Sequence, residues 1–403
     1  MARIQLRTIH SLHSFITRFA LTVPLALATG CLLSTSPDPA SNAGLEPKKE
    51  DERIIWLDAE VFDQRIREAG GLYEDEALED YLDGLAGKLL AHLGAPGLPI
   101  RVRVLPDPYL NAFAMANGSI YLHSGLVAVT ENEAQLAFVL AHELAHILRR
   151  HTLKIHRTAK NDPVVGGFLG VEHTDKPAPY ADYLRDVQTS GYSRDLEREA
   201  DLDALNGFGR AGYPLREAPR IFEELMQQAE QIEQPYFLGS HPRLAERLDV
   251  ALRYLDLHPD ALSDPGAEGR PADPAYEEMI EGLLLENARL NLEMGYTRKS
   301  RQDVERHLAV RPDSIEGHLL LGRLHKSRMS DHEHRDAAIA AYRNVVRIDD
   351  DHAEGHRELG LMLRGAQRWS EAARSLERYL EITPGAVDRP MIEAYLRQPA
   401  TTR

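Results

Sequence analysis

Apolar residues recur every three or four positions along most of the chain, and only a short stretch around residue 100 switches to strict alternation. The first period belongs to helices with one buried face and the second to a half-buried strand, so a mainly helical protein with a small β-sheet is predicted. Glu74–His92 carries Leu78, Leu82, Leu85 and Leu89 on one face and is predicted as an amphipathic helix. Ile100-Arg101-Val102-Arg103-Val104 alternates as a strand does. Between residues 111 and 123 two short β-like runs flank Asn117-Gly118, a dipeptide that readily accepts the positive φ of a tight turn, which predicts a hairpin. Thr130-x-x-Glu133 has the form of a capping box and predicts a helix from there to about Arg150. A second long helix is predicted from Ser193 to Phe208, with Gly209 and Gly212 placed to end it. Residues 161–180, rich in Gly and Pro, have the composition of a loop.

The C-terminal third repeats itself. Ala338-x-x-x-Tyr342-x-x-x-Val346-x-Ile348 returns 34 residues later as Ala372-x-x-x-Leu376-x-x-x-Leu380-x-Ile382, with Pro384 following. An earlier copy ends at Val310-Arg311-Pro312, set off by inserted residues around Asp331–Arg335. That period, with small residues at packed positions, resembles tetratricopeptide repeats; a plain helical bundle is the alternative. Gly266 to Pro274 has the composition of a linker, which divides the chain into residues 51–265, a linker at 266–274, and a repeat domain at 275–398.

The first 30 residues have a different character. Arg3, Arg7 and Arg18 precede an apolar run from Phe19 to Ala28 with no acidic residue among them, the pattern of a secretory signal. That run is well short of the roughly 20 residues a helix needs to cross a bilayer. Ala28-Thr29-Gly30-Cys31 resembles the lipobox of bacterial lipoproteins, which would make residues 1–30 a lipoprotein signal peptide and Cys31 the lipidated residue. Ala26-Leu27-Ala28 offers an ordinary cleavage site as the alternative. Residues 31–50 follow as a small, polar, Pro-containing linker. The localisation implied is the periplasm, tethered to the outer membrane by the lipid.

Cys31 is the only cysteine of the chain, so an intrachain disulfide and a cysteine-built zinc site are both excluded, leaving His, Asp and Glu as metal ligands. A net charge of −16 with no basic stripe argues against nucleic acid as a partner.

Candidate chemistry lies in Ala141-His142-Glu143-Leu144-Ala145-His146. Four residues apart on a helix, His142 and His146 project from one face and can reach a single zinc ion. Glu143 can approach a water on that metal, take its proton and pass it on to a leaving amine. A hydrolytic zinc needs a third protein ligand. Glu197 and Asp201 share a face of the second helix, the first as ligand and the second as the carboxylate orienting a ligand histidine. Glu199 is the competing choice for third ligand. His151 is assigned to the C-terminus of the first helix. His123 and His173 are given no role, and the histidines between 318 and 356 are expected at the surface of the repeats.

His-Glu-x-x-His followed about fifty residues on by Glu-x-x-x-Asp resembles the HtpX-type zinc metallopeptidases, a family that includes the CAAX prenyl proteases. Asn111-Ala-Phe-Ala, Gly118-Ser-Ile-Tyr, Gly125-Leu126 and Ser240-His241-Pro242-x-x-x-x-Arg247 are similar to further family motifs. The resemblance covers about residues 51–255 and implies a zincin-like metallopeptidase domain with one zinc ion per chain. It implies an active-site edge strand that pairs an extended substrate, Asn111 near the cleaved bond, and His241 and Arg247 lining the site. His241 matches a loop histidine that can occupy the fourth position on the zinc and hold the enzyme latent. The substrates implied are unfolded or misassembled envelope proteins, with the repeats docking the enzyme to the assembly machinery. A latent peptidase acting mainly as a chaperone or adaptor is the alternative.

Overall fold

A computed structural model describes residues 45, 47–161, 192–231, 241, 243–259, 273–327 and 332–397. The proposed signal segment with Cys31, nearly all of the predicted loop at 161–180, His173, Ser240, Pro242 and most of the 266–274 linker lie outside the described residues.

The sheet is built from β1 (Arg101–Leu105), β2 (Ala112–Ala114) and β3 (Ser119–His123) in the order β1-β3-β2. β3 runs parallel to β1, with Val102 opposite Ile120, and antiparallel to β2, with Phe113 opposite Tyr121. The Asn117-Gly118 hairpin forms as predicted. Gly118 sits at φ +90 and its N–H donates to the Met115 carbonyl, while Asn117 Oδ1 accepts from Ser119 N. Both faces of β3 are buried, because helices cover each side. On one side Phe62 and Ile66 of α1 (Glu50–Glu68), a helix absent from the predicted elements, pack on Phe113 and Tyr121. On the other, Ile120 and Leu122 join the main core with Leu78, Leu82, Leu85 and Leu89 of α2 (Glu76–His92). The predicted apolar face of α2 is the buried one.

β3 runs into α3 (Ser124–Val129), which passes so close to the preceding loop that a Cβ on Gly125 would stand 2.1 Å from the Pro108 carbonyl oxygen. The central helix α4 (Glu133–Leu148) follows, buried nearly all round. Its cap differs from the predicted capping box. Asn132 is the N-cap, its Oδ1 accepting from Gln135 N at 3.0 Å. Thr130 instead closes α3 by donating to the Val127 carbonyl at 2.6 Å, and Glu133 accepts from Tyr81 at 2.9 Å and Tyr213 at 2.6 Å. Asn caps as well as Ser or Thr, and the two tyrosines claim the glutamate the box would have used.

Beyond α5 (His151–Asn161), α6 (Arg194–Arg210) starts at the Ser193 cap and is followed by Gly212 at φ +83, close to the predicted limits. Its small residues Ala200 and Ala204 are fully buried and let it pack closely on α4. α7 (Glu217–Gln231) and α8 (Leu244–Leu257) complete this half, with Phe222 and Leu244 in the same core.

The C-terminal half is a succession of paired helices: α9 (Pro274–Glu293) with α10 (Thr297–Val310), α11 (Ile315–Lys326) with α12 (His332–Ile348), and α13 (Ala353–Gly365) with α14 (Trp369–Ile382), closed by α15 (Arg389–Arg397). Tyr276, Ile280, Leu283 and Leu284 of α9 belong to the same apolar cluster as α2 and α4. Polar contacts add to that junction: Ser124 donates to Asn287 Oδ1 at 2.9 Å, and Arg306 reaches the Thr130 carbonyl at 3.1 Å.

A second repeat signal emerges from packing. Glu316-Gly317-His318 and Gly322 recur as Glu354-Gly355-His356 and Gly360, where a Cβ on Gly322 or Gly360 would stand 2.6 Å from Tyr342 or Leu376. His318 and His356 are buried, contrary to the expectation of surface positions, and donate through Nε2 to the carbonyls of Pro312 and Asp350, both at 2.9 Å. The insertion before α12 lengthens this spacing beyond 34 residues, which hides it from a search at one fixed period. No helix among the described residues is long and apolar enough to cross a membrane.

Candidate metal centre

His142, Glu143 and His146 lie mid-way along the most buried helix of the fold, and each is at most 4% exposed. Helical spacing puts the two imidazoles side by side, facing α6, from which Glu197 projects. His142 Nε2 lies 2.9 Å from His146 Nε2 and 3.2 Å from His241 Nδ1. Glu197 Oε2 is 3.5 Å from His142 Nε2, and its Oε1 is 3.6 Å from His146 Nε2 and 3.1 Å from His241 Nδ1. These four buried side chains could hold a metal ion, their donor atoms all lying within 4.8 Å of one another.

The donor set fits zinc. Four ligand atoms at about 2.0–2.1 Å from a tetrahedral ion stand about 3.3–3.4 Å apart, and the separations here bracket that value. The charge balance fits too. Burial would raise the Glu197 carboxyl, but the His241 imidazole and the Arg247 guanidinium outweigh it and hold the group well below the usual carboxylate range. Burial and the neighbouring His142 keep His146 neutral, its pKa well below the ordinary value. Burial and Arg247 press His142 down, yet Asp201 and Glu197 more than offset them and raise it to about 9. The carboxylates therefore draw a positive charge onto the His142 side of the group, a demand that a cation at Nε2 would also meet.

Asp201 stands where the i,i+4 argument put it, its Oδ1 at 2.9 Å from His142 Nδ1. Arg247 holds it in turn, with Nη2 at 2.7 Å from Oδ1 and Nε at 3.0 Å from Oδ2, while Nη1 is 3.2 Å from Glu197 Oε2. Asn111 precedes the edge strand β2, and its carbonyl accepts from His123 N at 2.9 Å. Ala112, the next residue, lines the cavity beside the metal group.

One part of the site departs from the sequence reading. His151 does not cap α4. Arg150, at φ +52, turns the chain back so that His151 Nδ1 meets His146 Nδ1 at 2.9 Å. His151 Nε2 lies 3.1 Å from Glu199 Oε2, and Lys154 and Arg149 hold that carboxylate at the same distance. Were a metal to take His146 Nε2, its Nδ1–H would donate to His151, whose Nε2–H would donate to Glu199, and the tautomers would thereby be fixed. Glu199 is thus held by His151, Lys154 and Arg149 and lies outside the group whose donor atoms gather. Tyr192 stacks on His146 from the side, ring centroids 3.8 Å apart. The signal was a histidine five residues after His146, readable only once the turn at Arg150 is known. Replacing His151 with Phe is expected to weaken zinc binding by about 10- to 100-fold in a chelator-competition titration. Unchanged affinity would mean that Tyr192 packing alone orients His146.

Peptidase family M48 matches residues 75–255, from the cap of α2 into α8, a stretch that contains every member of the metal group. The M48 domain is similar to curated proteases. Against the beta-barrel assembly-enhancing protease of Escherichia coli (strain K12) the chain is 27% identical over 225 residues, 53% of this chain and 46% of that one. Against the putative beta-barrel assembly-enhancing protease of Vibrio cholerae it is 28% identical over 209 residues, 49% and 43% of the two chains. The mitochondrial metalloendopeptidase OMA1 of Saccharomyces cerevisiae is 26% identical over 171 residues, 40% of this chain and 48% of the relative. The matches span just under half the length of these relatives.

Proposed function

We propose that the chain is a zinc-dependent endopeptidase of the bacterial envelope that removes misfolded or stalled proteins. The observation that carries this reading is the convergence of His142, His146 and Glu197, buried, from two helices, with Glu143 beside them and not among the ligands. When bound, zinc would supply Lewis acidity, acidifying a water and polarising the peptide carbonyl. Glu143 would take the proton from the attacking water and deliver it to the departing amine. Asp201 and the His151–Glu199 pair hold the two imidazoles in the tautomer that presents Nε2. Arg247, fixed between Asp201 and Glu197, keeps the acidic side of the group in place.

The wider assignment rests on likeness to proteases named for beta-barrel assembly and on the paired C-terminal helices. In this reading residues 51–265 are the peptidase domain and 275–398 a tetratricopeptide-like domain that docks to envelope assembly machinery. A signal segment at 1–30 and a lipid on Cys31 place the enzyme in the periplasm at the outer membrane. A second reading is favoured by His241: its Nδ1 stands 3.2 Å from His142 Nε2 and 3.1 Å from Glu197 Oε1, at the corner where a substrate oxygen would bind. The chain would then be latent until that histidine withdraws, with its repeats serving as an adaptor.

Metal removal tests the proposal. The purified chain is expected to contain about one zinc, to lose hydrolysis of denatured casein on chelation with 1,10-phenanthroline, and to regain it with zinc. Full hydrolysis by the metal-stripped chain would end the reading, whereas a zinc-loaded chain that leaves casein intact would favour latency.

A further inference from the structure

Two segments far apart in sequence meet behind the metal group. Arg150 closes α4 through its N–H, which donates to the Ile147 carbonyl at 2.9 Å, and opens α5 through its carbonyl, which accepts from Lys154 N at 3.1 Å. It is the hinge between the helix that carries His142 and His146 and the helix that His151 begins. The hinge is bent at φ +52, a left-handed conformation that costs a residue with a Cβ and that glycine adopts freely. What an arginine adds there is its side chain. Nη1 lies 3.1 Å from Oε2 of Glu52, in the first turn of α1, with side-chain exposures of 22% and 10%. Glu52 Oε2 also accepts from Lys48 N at 2.7 Å, and its Oε1 accepts from Arg157 Nη2 of α5 at 3.0 Å. Burial would raise the Glu52 carboxyl, but the Lys48 N–H and the two guanidiniums outweigh it and hold the group below its ordinary value. Asp51 Oδ2 takes Nε of the same Arg157 at 2.6 Å. The first turn of α1 therefore grips α5 at its entry and again about two turns on. Arg149 ties the other side of the hinge to α6, at 3.1 Å from Glu199 and 2.9 Å from Asp203. α1 spans Glu50–Glu68 and lies wholly outside the matched residues 75–255.

Resting on the zinc reading, we propose that Glu52 is a positioning residue of the metal centre, acting through Arg150 and His151 on the ligand His146. The direction in which α5 leaves α4 decides where His151 Nδ1 stands, and its 2.9 Å contact with His146 Nδ1 sets the rotation of that imidazole. A hydrogen bond weakens steeply as its alignment is lost, so a small swing of α5 is enough to break this one. A largely buried, charge-assisted pair at the hinge itself resists the swing. With its side chain unanchored, Arg150 would relax toward an ordinary φ and carry His151 away from His146. Glu199 holds the far nitrogen of His151 and does not touch the hinge residue's side of α5 that Glu52 and Asp51 hold.

The test uses the full chain and reads zinc affinity by chelator competition, which needs no turnover. Glu52→Gln keeps the volume and loses the charge, whereas Arg150→Gly keeps the turn and loses the side chain. Each is expected to weaken zinc binding about 3- to 10-fold, less than the loss of His151 itself because the effect passes along one more contact. The visible absorption bands of the cobalt(II)-loaded chain, which report the ligand arrangement, are expected to shift in both variants. The double variant tests the route: Glu52→Gln in a chain already carrying His151→Phe should cost no further affinity, because groups that act through one contact are not additive. Parent affinity in both single variants overturns the proposal, also where urea unfolding shows the metal-free chain weakened, since Glu52 would then serve the fold alone. Losses that multiply in the double variant overturn the route through His151 and with it the proposal, while the zinc reading stands. A parent chain that binds no zinc overturns the metal reading itself.

Discussion

Glu143→Gln is expected to lower hydrolysis of denatured casein by roughly 100- to 10,000-fold while the zinc content stays unchanged. Glu143 is 1% exposed and lies next to His142, yet it is not one of the four side chains whose donor atoms gather. Its Oε1 is 3.3 Å from His241 Nε2, and its Oε2 has no hydrogen-bond partner. A carboxylate in that position can accept a proton from water and release it again. An amide of the same shape can accept a hydrogen bond but not a proton, so the transfer fails while packing survives. The metal ligands belong to other residues, which is why zinc should remain. Released peptides and metal content are measured on one preparation. Hydrolysis at the parent rate with zinc in place would remove Glu143 from the mechanism and take away the chemical argument for a peptidase.

The site was legible where the reasoning needed only one helix. His142 and His146 are four apart, as are Glu197 and Asp201, and helical geometry alone aligns each pair. That α4 and α6 face one another was inferred from the third ligand a hydrolytic zinc needs, since nothing in local sequence brings Ala200 and Ala204 against α4. The features that were missed depend on contacts between elements. His151 joins the site through a left-handed turn at Arg150 that an arginine does not advertise. Thr130 and Glu133 spell a capping box, but Tyr81, Tyr213 and Tyr276, from three distant helices or their ends, claim those side chains first. The 34-residue period caught the second helix of each repeat and missed the first, because the insertion before α12 falls between them. At Thr130 and Glu133 the local rule was sound and tertiary partners overrode it.

Arg247→Ala is expected to destabilise the metal-free chain by about 3–5 kcal/mol, the usual result of stranding buried carboxylates by removing their counter-ion. Arg247 is 6% exposed, and burial works against its charge; Asp201 and Glu197 reverse that and keep it protonated. Its guanidinium spans both acids, two nitrogens on Asp201 and one on Glu197, and lies over the Phe222 ring at 4.8 Å. Truncation leaves Asp201 with His142 at 2.9 Å and Glu197 with His241 at 3.1 Å, so two carboxylates must share what imidazoles can offer. The stem's packing on Phe222 is lost as well. Lysine keeps the charge but cannot bridge both acids at once, so Arg247→Lys should recover only part of the loss. Urea unfolding of the three proteins with EDTA present reads the difference directly. A loss below about 1 kcal/mol would mean that the acidic pair is neutralised by some other route, such as a proton shared between Asp201 and Glu197.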